Sequence, residues 1–167
     1  MNLVVENVTW YLNVKNKYMK AALAEAKKAY LIDEVPVGSV IVYNDKIIAR
    51  GHNTRETKQS VLGHAEINAI NKASKKIGSW RLEDCDMYVT LEPCSMCSGA
   101  IIQSRIKNLY YGAFDPKTGA CGSVLNLFEH DFNHKVNVTG GIMEEECSRI
   151  IKEFFRELRQ KNIDNNQ

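Results

Sequence analysis

Residues 87–97, Met-Tyr-Val-Thr-Leu-Glu-Pro-Cys-Ser-Met-Cys, decide how this chain folds. Met87 to Leu91 is a short apolar run containing Val89 and Thr90, and it reads as a strand. Pro93, directly after Glu92, suits the first position of a helix, where its missing N–H costs nothing. That helix runs from Cys94 to Ser104, and Cys94 and Cys97, three apart, project from one face of it. Asn108 to Tyr111 reads as a second strand ending at Gly112. Strand, helix and strand thus follow one another in a short crossover, which implies parallel pairing.

Upstream, Val37 to Tyr43 is rich in β-branched residues, Asn44-Asp45 supplies turn chemistry and Ile47-Ile48-Ala49 follows, so these residues form a β-hairpin. Gly51-His52-Asn53 leaves the sheet. Ile67, Ile70, Ala73 and Ile77 fall on one face of a helix stopped by Gly78, whose first turn carries His64 and Glu66. From Asn16 to Tyr30, Met19, Ala22, Leu23, Ala26 and Tyr30 build the apolar face of an earlier helix. The first fourteen residues, where Trp10 and Leu12 alternate with polar neighbours, fit an edge strand, a packed arm or a loose tail.

Downstream, Val136 to Thr139 is a weaker strand. Cys147, Ile150, Ile151, Phe154, Phe155 and Leu158 keep the spacing of one helical stripe. Glu144, Glu145 and Glu146 suit that helix's N-terminus, while Arg156, Arg159 and Lys161 suit its C-terminal end and form a basic patch. The organisation is an N-terminal arm (1–17), a single domain (18–161) and a polar tail (162–167). Trp80 and Phe154 are expected in the core rather than as platforms for stacking bases.

At 167 residues the chain is long enough for one sizeable core and too short for two. A net charge of +2 does not announce a nucleic-acid partner, so any such contact must come from local patches. No apolar run approaches the roughly 20 residues that cross a bilayer, and Met1 to Asn7 has no basic cluster, which together point to the cytosol. Five cysteines, two of them spaced Cys-x-x-Cys, suit metal or redox chemistry better than structural disulfides. Cys85, Cys121 and Cys147 are expected as buried or nearly buried thiols.

His64-Ala65-Glu66 opens one helix and Pro93-Cys94-Ser95-Met96-Cys97 another. A helix N-terminus together with a cation favours the thiolate forms of Cys94 and Cys97. Two thiolates and one imidazole suit zinc and leave its fourth tetrahedral position for water, whose pKa falls from about 15.7 to near 7. Glu66, two residues beyond the imidazole, lies beside that water and can carry its protons. A structural zinc site would need a fourth protein ligand, from Cys85 or Cys121. A thiol redox pair would leave His-x-Glu without a role.

His-x-Glu with Pro-Cys-x-x-Cys is the signature of the zinc nucleobase deaminases. Beyond it, the chain resembles the bacterial tRNA-specific adenosine deaminases from about Tyr18 to Arg159. The likeness is carried by Glu34-Val35-Pro36-Val37-Gly38, Gly51-His52-Asn53, Ser79-Trp80-Arg81-Leu82, Tyr88 to Cys94, Tyr111-Gly112-Ala113, Asp115-Pro116-Lys117, Phe132-Asn133-His134 and Phe154-Phe155. The signature alone would equally fit enzymes acting on guanine, cytosine, cytidine or deoxycytidylate. A small-molecule deaminase is therefore the alternative, and a non-catalytic zinc-stabilised RNA-binding module a third reading.

The resemblance implies a cytidine-deaminase-like α/β fold, a three-layer α/β/α sandwich around a five-stranded mixed sheet, with one zinc per subunit of a homodimer. It implies hydrolysis of the wobble adenosine of a tRNA anticodon stem-loop to inosine, with hydroxide attacking C6, Glu66 moving protons and ammonia leaving. His64, Cys94 and Cys97 would hold the zinc. Asn53 would hydrogen-bond the nucleoside, Val37 would wall the pocket, and Asp115 and Asn133 would touch flanking nucleotides. Lys117, Lys135 and Arg159 are candidates for phosphate contacts, each equally a solvated surface charge. As turn residues, Asn53 and Asp115 also have purely structural readings.

Two departures stand out. Val61-Leu62-Gly63 replaces the family's usual Pro-Thr-Ala, which alters the loop leading to the metal. Phe114 stands where a polar residue is common.

Overall fold

The computed structural model describes residues 3–164, with side chains from Asn13 onward. Helix α1 (Leu3–Leu31) contains neither proline nor glycine, so nothing interrupts its hydrogen-bond ladder. Residues 3–17, assigned to an N-terminal arm, belong to the same helix that was expected from Asn16. How Trp10 and Leu12 pack lies outside the described side chains. Strands β1 (Gly38–Tyr43) and β2 (Lys46–His52) form the expected hairpin. Asn44 and Asp45 both take positive φ at 47° and 57°, the turn geometry that matches strand twist.

Helix α2 (Ala65–Ile77) ends on Gly78, left-handed at φ 75°, whose N–H bonds the Ser74 carbonyl. Strand β3 (Cys85–Leu91), helix α3 (Ser95–Gln103) and strand β4 (Asn108–Ala113) make the crossover unit. A short 3-10 turn (Leu127–Glu129) and strand β5 (Asn137–Thr139) lead to helix α4 (Glu144–Asp164). The last helix thus runs through residues 162–164 of the expected tail, and residues 165–167 lie outside the described chain.

The sheet has five strands in the order β2-β1-β3-β4-β5. The pairs β1–β2 and β1–β3 are antiparallel, whereas β3–β4 and β4–β5 are parallel. Side chains alternate across it, as strand geometry requires. Val40, Val42, Tyr88 and Tyr110 pack with Tyr18, Met19 and Ala22 of α1 and Cys147 of α4. Ile41, Met87, Val89, Leu109 and Tyr111 pack with Ala65, Ala69 and Ala73 of α2 and Ile101 of α3. These are the expected three layers.

Close approach, rather than bulk, sets the helix spacing. A Cβ at Gly38 would overlap the Ala22 carbonyl oxygen of α1, and one at Gly51 the Ala65 carbonyl oxygen of α2. The buried face of α2 is therefore an alanine stripe, Ala65-Ala69-Ala73, instead of the isoleucine stripe that periodicity suggests. Ile67 and Ile70 are only half-buried and Ile77 is exposed. On α4, Cys147 and Phe154 are buried, but Phe155 and Leu158 remain exposed. Trp80, expected in the core, is 53% exposed. Its ring is covered instead by the Arg81 guanidinium 4.4 Å from the centroid.

One end of this sheet collects the site. β3 and β4 are parallel, and the register makes β2 point the same way, so their C-terminal ends share an edge with the start of β1. Val37, Asn53, Glu92 and Asp115 all lie within two residues of those strand ends, where the first turns of α2 and α3 also arrive.

Candidate metal centre and its cavity

His64 is the N-cap of α2 and Cys94 the N-cap of α3, both with extended backbone, at φ −80°, ψ 148° and φ −72°, ψ 174°. The imidazole makes no capping bond. It faces the two thiols, with His64 Nδ1 3.7 Å from Cys94 Sγ and 3.4 Å from Cys97 Sγ. Cys97 lies in the first turn of α3 and is fully buried. Both helix N-termini therefore direct positive potential at the three donor atoms.

These donors fit zinc. Bonds of about 2.0–2.1 Å to nitrogen and 2.3 Å to sulfur, arranged tetrahedrally, separate the N and S atoms by about 3.6 Å. The two N–S distances bracket that value. Among the described residues, no fourth histidine, cysteine or acid joins the cluster. Cys121, one thiol considered for closing the shell, instead lies 4.0 Å from the Ser98 hydroxyl. The other, Cys85, opens β3 and is buried in the core cluster. As expected, Cys85 and Cys147 are buried and Cys121 is half-buried.

Electrostatics within the cluster follow from its closeness. A hydrogen bond from the Cys97 thiol, aided by the imidazole, holds the Cys94 thiol down at about 4. The same partnership and burial push the Cys97 thiol up. The Cys94 contact raises His64. Glu66, the second residue of α2, is buried, and loss of water raises its carboxyl above the ordinary range. Its carboxyl also contacts Cys97.

A cavity of about 170 Å³ opens onto these groups, lined by Val37, Asn53, His64, Glu66, Leu91, Glu92, Cys94, Asp115 and Thr118 among others. It is small beside ordinary ligand clefts of roughly 300–1,000 Å³, and suits a single flat ring more than a whole nucleotide. The structure thus brings Val37, Asn53 and Asp115 together around the expected metal ligands and Glu66. The Asp115 carboxylate accepts from the Lys117 N–H at 2.9 Å and the Thr118 hydroxyl at 2.5 Å, so it shapes its own turn while facing the cavity.

The remaining expected contacts lie elsewhere. Asn133 is exposed and accepts from Arg105 at 2.7 Å, away from the cavity lining. Lys135 bonds Asp131 at 2.7 Å and the His130 carbonyl at 3.0 Å. Lys117 is exposed in the cavity-rim turn, and Arg159 is exposed on α4. Of the departures, Gly63 is buried, and a Cβ there would lie 2.8 Å from the Arg55 backbone. An alanine in that place would force the loop outward. Phe114 is exposed and stands edge-on to Tyr111, with centroids 5.3 Å apart.

Two buried acids in the lining, Glu34 and Glu92, had no role in the sequence reading. Glu34 accepts from the Thr57 N–H at 2.6 Å and from Asn53 Nδ2 at 3.3 Å, which fixes the Asn53 amide. Glu92 gathers the segment after β4. Neither acid carries a sequence signal of its role, because only the fold shows which N–H groups converge on it.

A family model for MafB19-like deaminases matches residues 13–159. The tRNA-specific adenosine deaminase of Bacillus subtilis (strain 168) is 52% identical over 145 residues, covering 86% of this chain and 90% of the relative. That of Streptococcus pyogenes serotype M18 (strain MGAS8232) is 42% identical over 151 residues, covering 90% and 95%. A solved structure from a study of A-to-I editing by tRNA:A34 deaminases aligns with a TM-score of 0.78 at 44% identity, covering 80% of this chain and 98% of that one. Sequence, fold and the arrangement of the three donors agree, and the chain belongs to the family of the tRNA-specific adenosine deaminases.

Proposed function

We propose that this protein hydrolyses adenosine to inosine at the wobble position of a tRNA anticodon, with zinc held by His64, Cys94 and Cys97. The observation that carries the reading is the buried Glu66 carboxyl beside three donor atoms spaced for one ion, at the end of a cavity sized for one base. The relatives named for this reaction match the chain along most of its length.

Zinc, when bound, acts as a Lewis acid that brings the acidity of a water molecule towards neutrality. The protein's own groups do the rest. Glu66 accepts a proton from the attacking water, passes it to the ring nitrogen next to C6, and returns a second proton to the departing ammonia. Burial raises its carboxyl, so it holds a proton more readily than a solvent-exposed carboxylate would. Val37 and Leu91 supply apolar wall against the ring and exclude bulk water. Asn53, held by Glu34, offers the nucleoside a hydrogen bond in a set direction. Asp115 meets the flanking nucleotide at the rim.

An anticodon loop is unpaired, so turning its base into a small recess costs little unstacking. Lys117, next in chain to the rim, is the phosphate contact best placed by sequence. Asn133, Lys135 and Arg159 would meet RNA only beyond the cavity. One zinc per subunit, a homodimer and a cytoplasmic setting complete the reading. Among the described residues, no helix is long and apolar enough to cross a membrane.

Incubation with an anticodon stem-loop carrying wobble adenosine, and in parallel with free adenine, guanine and cytidine, tests it. Inosine in the stem-loop alone is the expected result. Conversion of a free base without RNA product selects the small-molecule alternative. Zinc bound without ammonia from any substrate selects the non-catalytic one.

A further inference from the structure

Glu92 is 2% exposed at the junction between β3 and α3. Its carboxylate accepts the Asp115 N–H at 3.0 Å, the Cys121 N–H at 2.9 Å and the Ser123 N–H at 3.1 Å, and the Ser123 hydroxyl as well. Among the described residues no lysine, arginine or histidine ion-pairs with it. Backbone and hydroxyl dipoles therefore neutralise this buried charge, and all four donors come from one segment, residues 115–123.

Other ties also hold that segment: the Leu127 N–H donates to the Ala120 carbonyl at 3.1 Å, Cys121 forms an isolated bridge with Asn126, and Ala120 is fully buried. The segment contains no helix or named strand. The Ala120 N–H reaches the Pro93 carbonyl at 2.8 Å, and Gly119 pairs with Cys94 as an isolated bridge. The chain passes so closely over the carboxylate that a Cβ at Gly119 would overlap Glu92 Cδ. Asp115 and Thr118, at the other side of the turn, line the cavity.

From this geometry we infer that Glu92 is the positioning residue of the substrate-facing wall. Its carboxylate fixes the 115–123 segment, and with it Asp115 and Thr118, to the two residues that lead into the metal-ligand helix. Glu92 borders the cavity but is not among the three donor atoms; through its hydrogen bonds it sets the distance between the wall and the reacting centre. The inference rests on the deamination reading above.

Glu92→Gln keeps the volume but turns one acceptor into a donor facing N–H groups, and Ser123→Ala removes one exposed hydroxyl without threatening the fold. Both are purified as full-length chains beside wild type for zinc content, stem-loop kinetics and hydrogen–deuterium exchange. The expected result is wild-type zinc, kcat within about twofold, and KM raised about tenfold in Glu92→Gln and about threefold in Ser123→Ala. Exchange quickens at residues 115–123 and stays unchanged in α1 and β1.

Unchanged KM in Ser123→Ala, a fall in kcat at constant KM, or exchange that quickens evenly through the molecule overturns the inference. Should Glu92→Gln fail to fold, Ser123→Ala decides alone. Wild type that makes no inosine refutes the functional reading, and the exchange pattern still decides whether Glu92 anchors the wall.

Discussion

In the proposed mechanism, proton transfer rests on a single side chain. Glu66→Gln preserves volume but cannot move protons, so turnover on the stem-loop should fall by about 10²–10⁴-fold while bound zinc stays at the wild-type level. Metal analysis beside single-turnover kinetics checks it, and a variant with near wild-type turnover would remove Glu66 from the chemistry. The cluster of His64, Cys94 and Cys97 was legible in the sequence because metal chemistry restricts both residue type and spacing. Imidazole and thiolate ligands must sit at defined chain positions to meet one ion. Glu34 and Glu92 were not legible, since a carboxylate becomes a buried anchor only where distant N–H groups converge. Trp80 misled for the opposite reason: its size argues for burial, yet a neighbouring guanidinium covers it.

Elements were read well where pattern and turn chemistry agreed. The hairpin, the β3–α3–β4 crossover and the start of α4 emerge from period, proline and acidic caps. The α2 face did not, because close helix–sheet approach selects alanine, and hydrophobicity counts rank isoleucine higher. The N-terminal half of α1 was left open because Trp10 and Leu12 alternate with polar neighbours, a pattern that does not single out a helix. Gly51→Ala tests what close approach is worth. The added Cβ must push α2 away from β2, costing about 1–3 kcal/mol, and it carries His64 and Glu66 with it. Gly38→Ala forces α1 outward at comparable cost on the other layer. Denaturant melts should show both variants weakened, whereas activity of the folded fraction should drop only in Gly51→Ala. Equal activity losses would mean that α2 does not set the metal ligands' position.

At the scale of the whole molecule, Glu34 is one of the carboxyls that tie stability to pH, beside Glu25 and Glu92. Burial tends to raise the Glu34 carboxyl, but hydrogen bonds from Thr57 and the neighbouring backbone outweigh that and hold it below its ordinary 4.5. A depressed carboxyl stabilises the fold fully above its unfolded value and loses that contribution as pH falls through the folded one. Glu34→Gln should therefore melt below wild type at pH 7, with the gap closing under acid; a gap that stays constant with pH would refute the assignment. The order β2-β1-β3-β4-β5 has one more consequence. Its two outer strands are poor templates for further pairing. β5 spans three residues, while β2 pairs with β1 across an irregular register beside Ile48 and exposes Lys46 and Arg50. Charge and distortion on an outer strand discourage another chain from extending the ladder. The sheet's own edges thus work against strand-by-strand growth of one copy onto another, the step by which fibres form.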